Sequence, residues 1–455
     1  MTLAPSELGT LASSYLDRQH WFQLTVPGAR PDEIELVRCE MLREDSPPLS
    51  RLLLRCRGRH FGLFVGWREA IGASDALHGR EGAFFGSAVD DRRPVLVYDA
   101  LADDVLAREL FARATHGALA ARRVRHVATA VSHTSLVYDE RFLMKCYRVL
   151  EETARPEIEA VTRLDAVGFN AMLAPVATWR SGGFDLALVR EFLPSALEGR
   201  LLALTSLRDL LARVSGNGRS DAPAATGHEA GGGFDPSAVT ASAGGDLASE
   251  MRRLGSTAAR LHLALAEAFG ATEVAPATLA DEIAQLVSNG FAGQKVHDTA
   301  ARALDLVERV RALRPGEAGS AIRVHGDFNL QRVMRAETGW VVVGFGDDPL
   351  FADSLSLTSL PARSGMPADD LADMWFSISR VAREALAQRP TAEAELAGQL
   401  AREWVRRNRR ALLEGYVATR DVARLLPTDG GIAEGLLALL TAAREQHFGE
   451  SIAGA

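Results

Sequence analysis

The run Val324-His325-Gly326-Asp327-Phe328-Asn329-Leu330-Gln331-Arg332 leads straight into a hairpin signal, and the pair constrains this chain more than any other segment. Residues 332–336 and 340–345 are short stretches rich in β-branched and aromatic side chains. Glu337-Thr338-Gly339 lies between them, which predicts two antiparallel strands joined by a three-residue loop. If Ala336 pairs with Trp340, Val333 falls opposite Val343 and Arg332 opposite Gly344. The segment His325-Gly326 reads as a supporting histidine and a tight turn that expose Asp327. Asp347-Asp348-Pro349 follows the second strand as an acidic turn.

The rest of the chain restricts the classes of function. With 455 residues, two or three compact units are expected. A net charge of −8 speaks against general affinity for nucleic acid. Cys39, Cys56 and Cys146 are odd in number and lack metal-type spacing, which fits a reducing, cytoplasmic setting. The opening Met1-Thr2-Leu3-Ala4-Pro5 has no basic stretch, and no apolar run reaches the roughly 18 residues of a membrane span. The expectation is a cytoplasmic protein with no membrane and no nucleic-acid partner.

A pass along the chain gives three blocks: 1–85, 86–193 and 194–455. The first opens with a helix and continues as strands, for example 50–56 and 60–67. Residues 94–100 read as a strand leading into a helix through Phe111. From about Val124 to Leu193 a small sheet with one helix, 156–167, is expected. Beyond it apolar residues recur at helical spacing. Residues 215–245, with three glycines at 231–233, carry few periodic apolar residues and read as a flexible insertion.

Several motifs, in order, resemble the actinobacterial maltokinases and their glucosamine kinase relatives, which share the aminoglycoside phosphotransferase-like fold. They are Tyr15-Leu16-Asp17-Arg18-Gln19-His20-Trp21-Phe22, Ser132-His133-Thr134-Ser135, Phe142-Leu143-Met144-Lys145, Pro156-Glu157-Ile158-Glu159, Leu254-Gly255 with Leu261-His262, and His325-Gly326-Asp327 with its hairpin. The resemblance implies an α+β, bilobal protein-kinase-like fold with an N-terminal β-rich cap over 1–85 and a mostly helical C-terminal lobe. It also implies an ATP-dependent sugar kinase for maltose, glucosamine or a related sugar.

In that setting Asp327 would orient the attacking hydroxyl, and Lys145, steadied by Glu157 or else Glu159, would contact nucleotide phosphates. Ser132, Thr134 and Ser135 would form the phosphate loop. The hinge that receives adenine would lie at Glu191 to Leu193, in one cleft with Lys145 and Asp327. Asn329, Asp348, Trp404 and Asn408 would line the sugar site, while His262 reads as a satisfied core histidine. The four arginines 406, 407, 409 and 410 read as a solvated face.

The family places an amide and a carboxylate on Mg²⁺ where this chain has Arg332 and Gly344. Unit charges about 4 Å apart interact by roughly 4 kcal/mol at an effective dielectric near 20, and a dication doubles that, so Arg332 would oppose the metal. Asp347 or Asp348 would have to serve as metal ligands instead, or would pair with Arg332. Two alternatives follow: a sugar kinase with weakened Mg²⁺-dependent catalysis, or a pseudokinase that binds sugar or nucleotide and acts on a protein partner.

Overall fold

The computed structural model describes residues 3–69, 77–90, 92–127, 133–216, 247–290, 297–345, 364–389 and 394–447. The chain divides into two compact units, residues 1–162 with 173–194, and residues 163–172 with 195–455.

The first unit begins with α1 (Pro5–Asp17) and α2 (His20–Thr25). Proline in the first turn of α1 suits a position where a backbone N–H has no helical acceptor. Leu8, Ala12, Tyr15 and Leu16 recur at helical spacing and are buried with Trp21 and Phe22. Their partner is an antiparallel sheet of β1 (Glu35–Arg43), β2 (Leu49–Cys56), β3 (Arg59–Glu69), β4 (Phe84–Asp90) and β5 (Arg93–Asp99), in the order β1-β2-β3-β5-β4. Phe61, Leu63, Val65 and Trp67 alternate along β3 and face that core. Because β4 and β5 belong to this sheet, the expected boundary near residue 85 is not a break in structure. After α3 (Asp104–Ala114), a second sheet joins β6 (Val124–His126), β7 (His133–Tyr138), β8 (Phe142–Tyr147), β10 (Pro175–Ser181) and β11 (Phe184–Glu191) in the order β10-β11-β8-β7-β6. A two-strand step, β9 (Val149–Leu150), returns to pair with β3. The helix α4 (Pro156–Ala166) follows, and the boundary between the units falls within it.

The second unit is mainly helical: α5 (Gly199–Gly216), α6 (Ala248–Phe269), α7 (Pro276–Gly290), α8 (His297–Arg311), α9 (Pro367–Ala387), α10 (Ala394–Val417) and α11 (Gly430–His447). The expected insertion at 215–245 lies outside the described residues, apart from Ser215 and Gly216 in the last turn of α5. Helices α6 and α10 cross with their backbones in contact. A Cβ on Gly255 would stand 1.9 Å from the Leu412 carbonyl oxygen, and one on Gly415 would stand 1.9 Å from that of Arg252. Only glycine on both helices permits this approach.

The predicted hairpin forms, one residue out of the expected register. Strand β12 (Val333–Ala336) pairs with β13 (Gly339–Val342), matching Ala336 to Gly339 and Val333 to Val342. The loop has two residues, because Gly339 adopts a φ of +137° that L side chains rarely take and thereby enters the strand. Beyond the ladder, the Val343 N–H donates to the Arg332 carbonyl at 2.9 Å.

Gly255→Ala should destabilise the second unit by roughly 3 kcal/mol, since the added methyl meets backbone rather than a movable side chain. Chemical denaturation followed by helical circular dichroism checks this. A change below about 0.5 kcal/mol, the size of an ordinary surface substitution, would contradict the backbone contact.

Candidate functional site

The loop 325–332 is held from behind by Asp370, which is fully buried in the first turn of α9. One Asp370 carboxylate oxygen accepts the His325 N–H at 2.7 Å, and the other accepts the Gly326 N–H at 3.0 Å. His262 Nε2 lies 3.1 Å from the first of these oxygens, and His262 Nδ1 lies 2.8 Å from the Tyr416 hydroxyl. The crossing of α6 and α10 at Gly255 and Gly415 brings these two side chains together. Burial alone would push the Asp370 carboxyl up, but the hydrogen bond and charge of His262 hold it below the usual aspartate range. His262 is thus the satisfied core histidine that the sequence suggests.

His325 is buried as well. Its Nδ1 accepts the Asp327 N–H at 3.3 Å and its Nε2 lies 3.2 Å from the Val343 carbonyl, so the ring is neutral with its proton on Nε2. Burial lowers its pKa. Gly326, at φ +84°, makes the turn that presents Asp327.

Both carboxylate oxygens of Asp327 are engaged. Asn329 Nδ2 donates to Oδ1 at 2.5 Å, and Arg332 Nε donates to Oδ2 at 2.7 Å. Asn329 is itself braced, its Oδ1 accepting the Gln331 N–H at 2.9 Å. A Cβ on Gly344 would stand 3.1 Å from Arg332 Cδ and 3.2 Å from Arg332 Nη1. The two positions therefore touch, as the sequence suggested, although the strand register differs. A divalent ion does not fit this arrangement: it would meet a guanidinium and a residue without a side chain. Among the described residues no group of three His, Cys, Asp or Glu could hold a metal ion. Asp347 and Asp348, the proposed substitute ligands, lie outside the described residues.

In the first unit, Lys145 Nζ pairs with Glu157 Oε2 at 2.5 Å, both side chains buried. Glu157, the first of the two glutamates the sequence offers, pairs with this lysine. The Tyr147 hydroxyl donates to the same oxygen at 3.1 Å, and Arg190 Nη1 lies 3.4 Å from the other. The sequence reading missed Arg190. Its only local signal is register, since Arg190 pairs with Leu143 two residues from Lys145 and so shares that face of the sheet.

The expected phosphate loop needs correction. Thr134 and Ser135 are buried in β7, and Thr134 Oγ1 accepts Arg148 Nε at 3.1 Å. Arg148 also pairs with Asp99, whose Oδ2 accepts the Tyr15 hydroxyl at 3.3 Å. Ser135 lies opposite Lys145 and shares its face, so Thr134 points to the other side. Ser132 lies outside the described residues. At the expected hinge, Glu191 donates its N–H to Ala174 at 3.2 Å and Phe192 donates its own to Arg141 at 2.8 Å. Glu191 is exposed and Leu193 half-buried.

The sugar-stacking expectation for α10 is corrected too. Trp404 is 2% exposed and Asn408 fully buried. The Trp404 indole donates to Ser206 Oγ at 3.2 Å, and Asn408 Nδ2 donates to the Trp404 carbonyl at 2.8 Å. Neither offers a face to a ligand, because α10 is packed against α6 on one side and near α5 and α9 on others. Arg406 and Arg410 pair with Glu403 and Glu414 on the exposed side of the helix, but Arg409 turns inward, donating to the Trp375 carbonyl at 3.0 Å and pairing with Glu445 at 3.0 Å, so the four arginines do not form one solvated face.

No family model matches the chain. The glucosamine kinase of Streptacidiphilus jiangxiensis is 28% identical over 291 residues, 60% of this chain and 56% of that relative, so the chain spans little more than half the relative's length. A solved glucosamine kinase in complex with glucosamine, ADP and inorganic phosphate superposes with a TM-score of 0.57 at 21% identity, over 98% of this chain and 94% of that one. A second crystal form of glucosamine kinase gives 0.58 at 21% identity, over 97% and 93%. The chain therefore has a kinase-like fold, α+β, with a β-rich N-terminal part and a helical C-terminal part. Among the described residues no helix is long and apolar enough to cross a membrane.

The buried neutral His325 gives a pH prediction. Below about pH 6.5 the unfolded chain binds a proton that the buried ring resists, so the unfolded state gains protons and stability falls as pH drops. The contribution is at most about 1.4 kcal/mol per pH unit. Urea denaturation at pH 7.5 and 5.5 should show a smaller loss for His325→Gln than for the native chain. Equal losses would mean that His325 takes up its proton as easily folded as unfolded.

Proposed function

We propose that this chain is a sugar kinase-like protein that retains nucleotide binding and has lost most Mg²⁺-dependent phosphoryl transfer. ATP is the nucleotide, and maltose, glucosamine or a related sugar is the acceptor. The buried Lys145–Glu157 pair supports nucleotide binding, since in this fold such a pair steadies a phosphate-contacting lysine. The likeness to glucosamine kinases supports the acceptor class. Three free cysteines suit a cytoplasmic setting.

The observation that carries the reading is the ion pair from Arg332 to Asp327 across Gly344. In transfer, the sugar oxygen forms a bond to the terminal phosphorus, the bond from that phosphorus to the ADP oxygen breaks, and the hydroxyl proton passes to the Asp327 carboxylate. With Asn329 on one carboxylate oxygen and Arg332 on the other, Asp327 has no oxygen left unengaged to orient the acceptor hydroxyl. Loss of metal stabilisation, about 4 kcal/mol, slows the step roughly a thousandfold. The same ion pair favours a second reading, a pseudokinase that binds ligand and serves a protein partner.

An assay of ADP formation with Mg²⁺-ATP and glucosamine or maltose tests the proposal. Turnover should lie roughly a thousandfold below the 1–100 s⁻¹ typical of kinases. Arg332→Gln with Gly344→Asp together should raise it, and each change alone should do less. Lys145→Ala should weaken ATP binding at least tenfold in calorimetry. Turnover by the native chain at an ordinary kinase rate would refute the broken metal site.

A further inference from the structure

We propose that Arg332 binds the phosphate chain of a nucleotide in the place of a metal ion, so that Mg²⁺ weakens nucleotide binding instead of strengthening it. The proposal rests on the nucleotide-binding reading above. Its basis is the way the two unusual positions fit each other. The Arg332 side chain crosses the space that a side chain at 344 would fill, with Nη1 3.2 Å from the place of its Cβ. Its Nε is held by Asp327, and the side chain is 31% exposed.

A guanidinium carries five N–H donors in a planar fork that matches phosphate oxygens. Among the described residues, both terminal nitrogens of Arg332 are without an acceptor. The cation is thus held in place by Asp327 while most of its hydrogen-bonding capacity stays available to an anion. Asn329 keeps the other oxygen of Asp327 engaged, so the carboxylate does not have to leave for the anion to dock.

A metal-free triphosphate meets a positive group here. A Mg²⁺-bound triphosphate brings two positive charges toward the same guanidinium, and Gly344 supplies no carboxylate to receive them. The preferred ligand is therefore a nucleoside polyphosphate without its metal. This differs from ordinary kinase behaviour in sign, not only in degree.

Calorimetry of the full chain with ATP, in excess EDTA and in excess Mg²⁺, tests the inference. The affinity in EDTA should exceed that in Mg²⁺ by about tenfold. Arg332→Gln should lower the EDTA affinity about tenfold and abolish the difference between the two conditions, while Arg332→Lys should retain part of both. Thermal melts establish that the variants fold, and the lysine variant keeps the test valid if the glutamine variant does not. Tighter binding in Mg²⁺, or an Arg332→Gln chain that binds like the native one, would overturn the assignment and leave the nucleotide reading intact. Absence of ATP binding under both conditions would overturn both.

Discussion

One buried carboxylate organises the second unit. Asp370 accepts the first two N–H groups of the loop 325–332, and those bonds set the turn at Gly326 and the position of Asp327. A carboxylate removed from water is costly unless its lone pairs are used. Here they are used by two backbone donors and a histidine ring, and the ring is held by Tyr416. Tyr416 meets that histidine where α6 and α10 touch at two glycines. The geometry of the loop thus depends on a helix crossing whose glycines lie far from it in sequence.

Beside that support, Arg332 and Gly344 form a local contact of their own. The turn, the neutral His325 and the buried Asp370 are those of a loop built to present a carboxylate. Arg332 and Gly344, flanking the hairpin, fit each other, the larger side chain filling the space beside the residue that has none. In the first unit the Lys145–Glu157 pair is likewise buried, with the Tyr147 hydroxyl donating to the carboxylate and the Arg190 guanidinium 3.4 Å from its other oxygen. A chain losing all ligand binding would have little physical reason to keep a buried lysine and glutamate paired, since such a pair adds little stability over apolar residues of similar volume.

The parts legible in the sequence were those set by local rules. His325-Gly326-Asp327 was readable because a tight turn needs a residue tolerant of positive φ. Glu157 was named on the resemblance to kinases, which pairs a strand lysine with a glutamate of the following helix, and the two are paired here. The hairpin was legible but shifted by one residue, since the freedom of Gly339 sets where the loop ends. Asp370 and Arg190 were missed because their roles arise from tertiary contacts: Asp369 and Asp370 look alike as acids in a first turn, yet it is Asp370 that accepts the His325 and Gly326 N–H groups. Trp404 and Asn408 were misplaced because one helical face carries both core and cleft residues in a fold of this kind, and periodicity cannot separate them. Thr134 was misplaced because strand alternation turns it away from the lysine that Ser135 faces.

The claim that joins these observations is that a guanidinium has taken over the metal's place beside Asp327. Its most direct measurement uses paramagnetic Mn²⁺ as the divalent ion, with water-proton relaxation recorded while ATP and the protein are titrated together. The account predicts relaxation close to that of free Mn²⁺-ATP at protein concentrations that bind metal-free ATP, because the metal-bound nucleotide binds about tenfold more weakly. A strong enhancement on adding the native chain, lost on removing ATP, would show a working metal site and contradict the account.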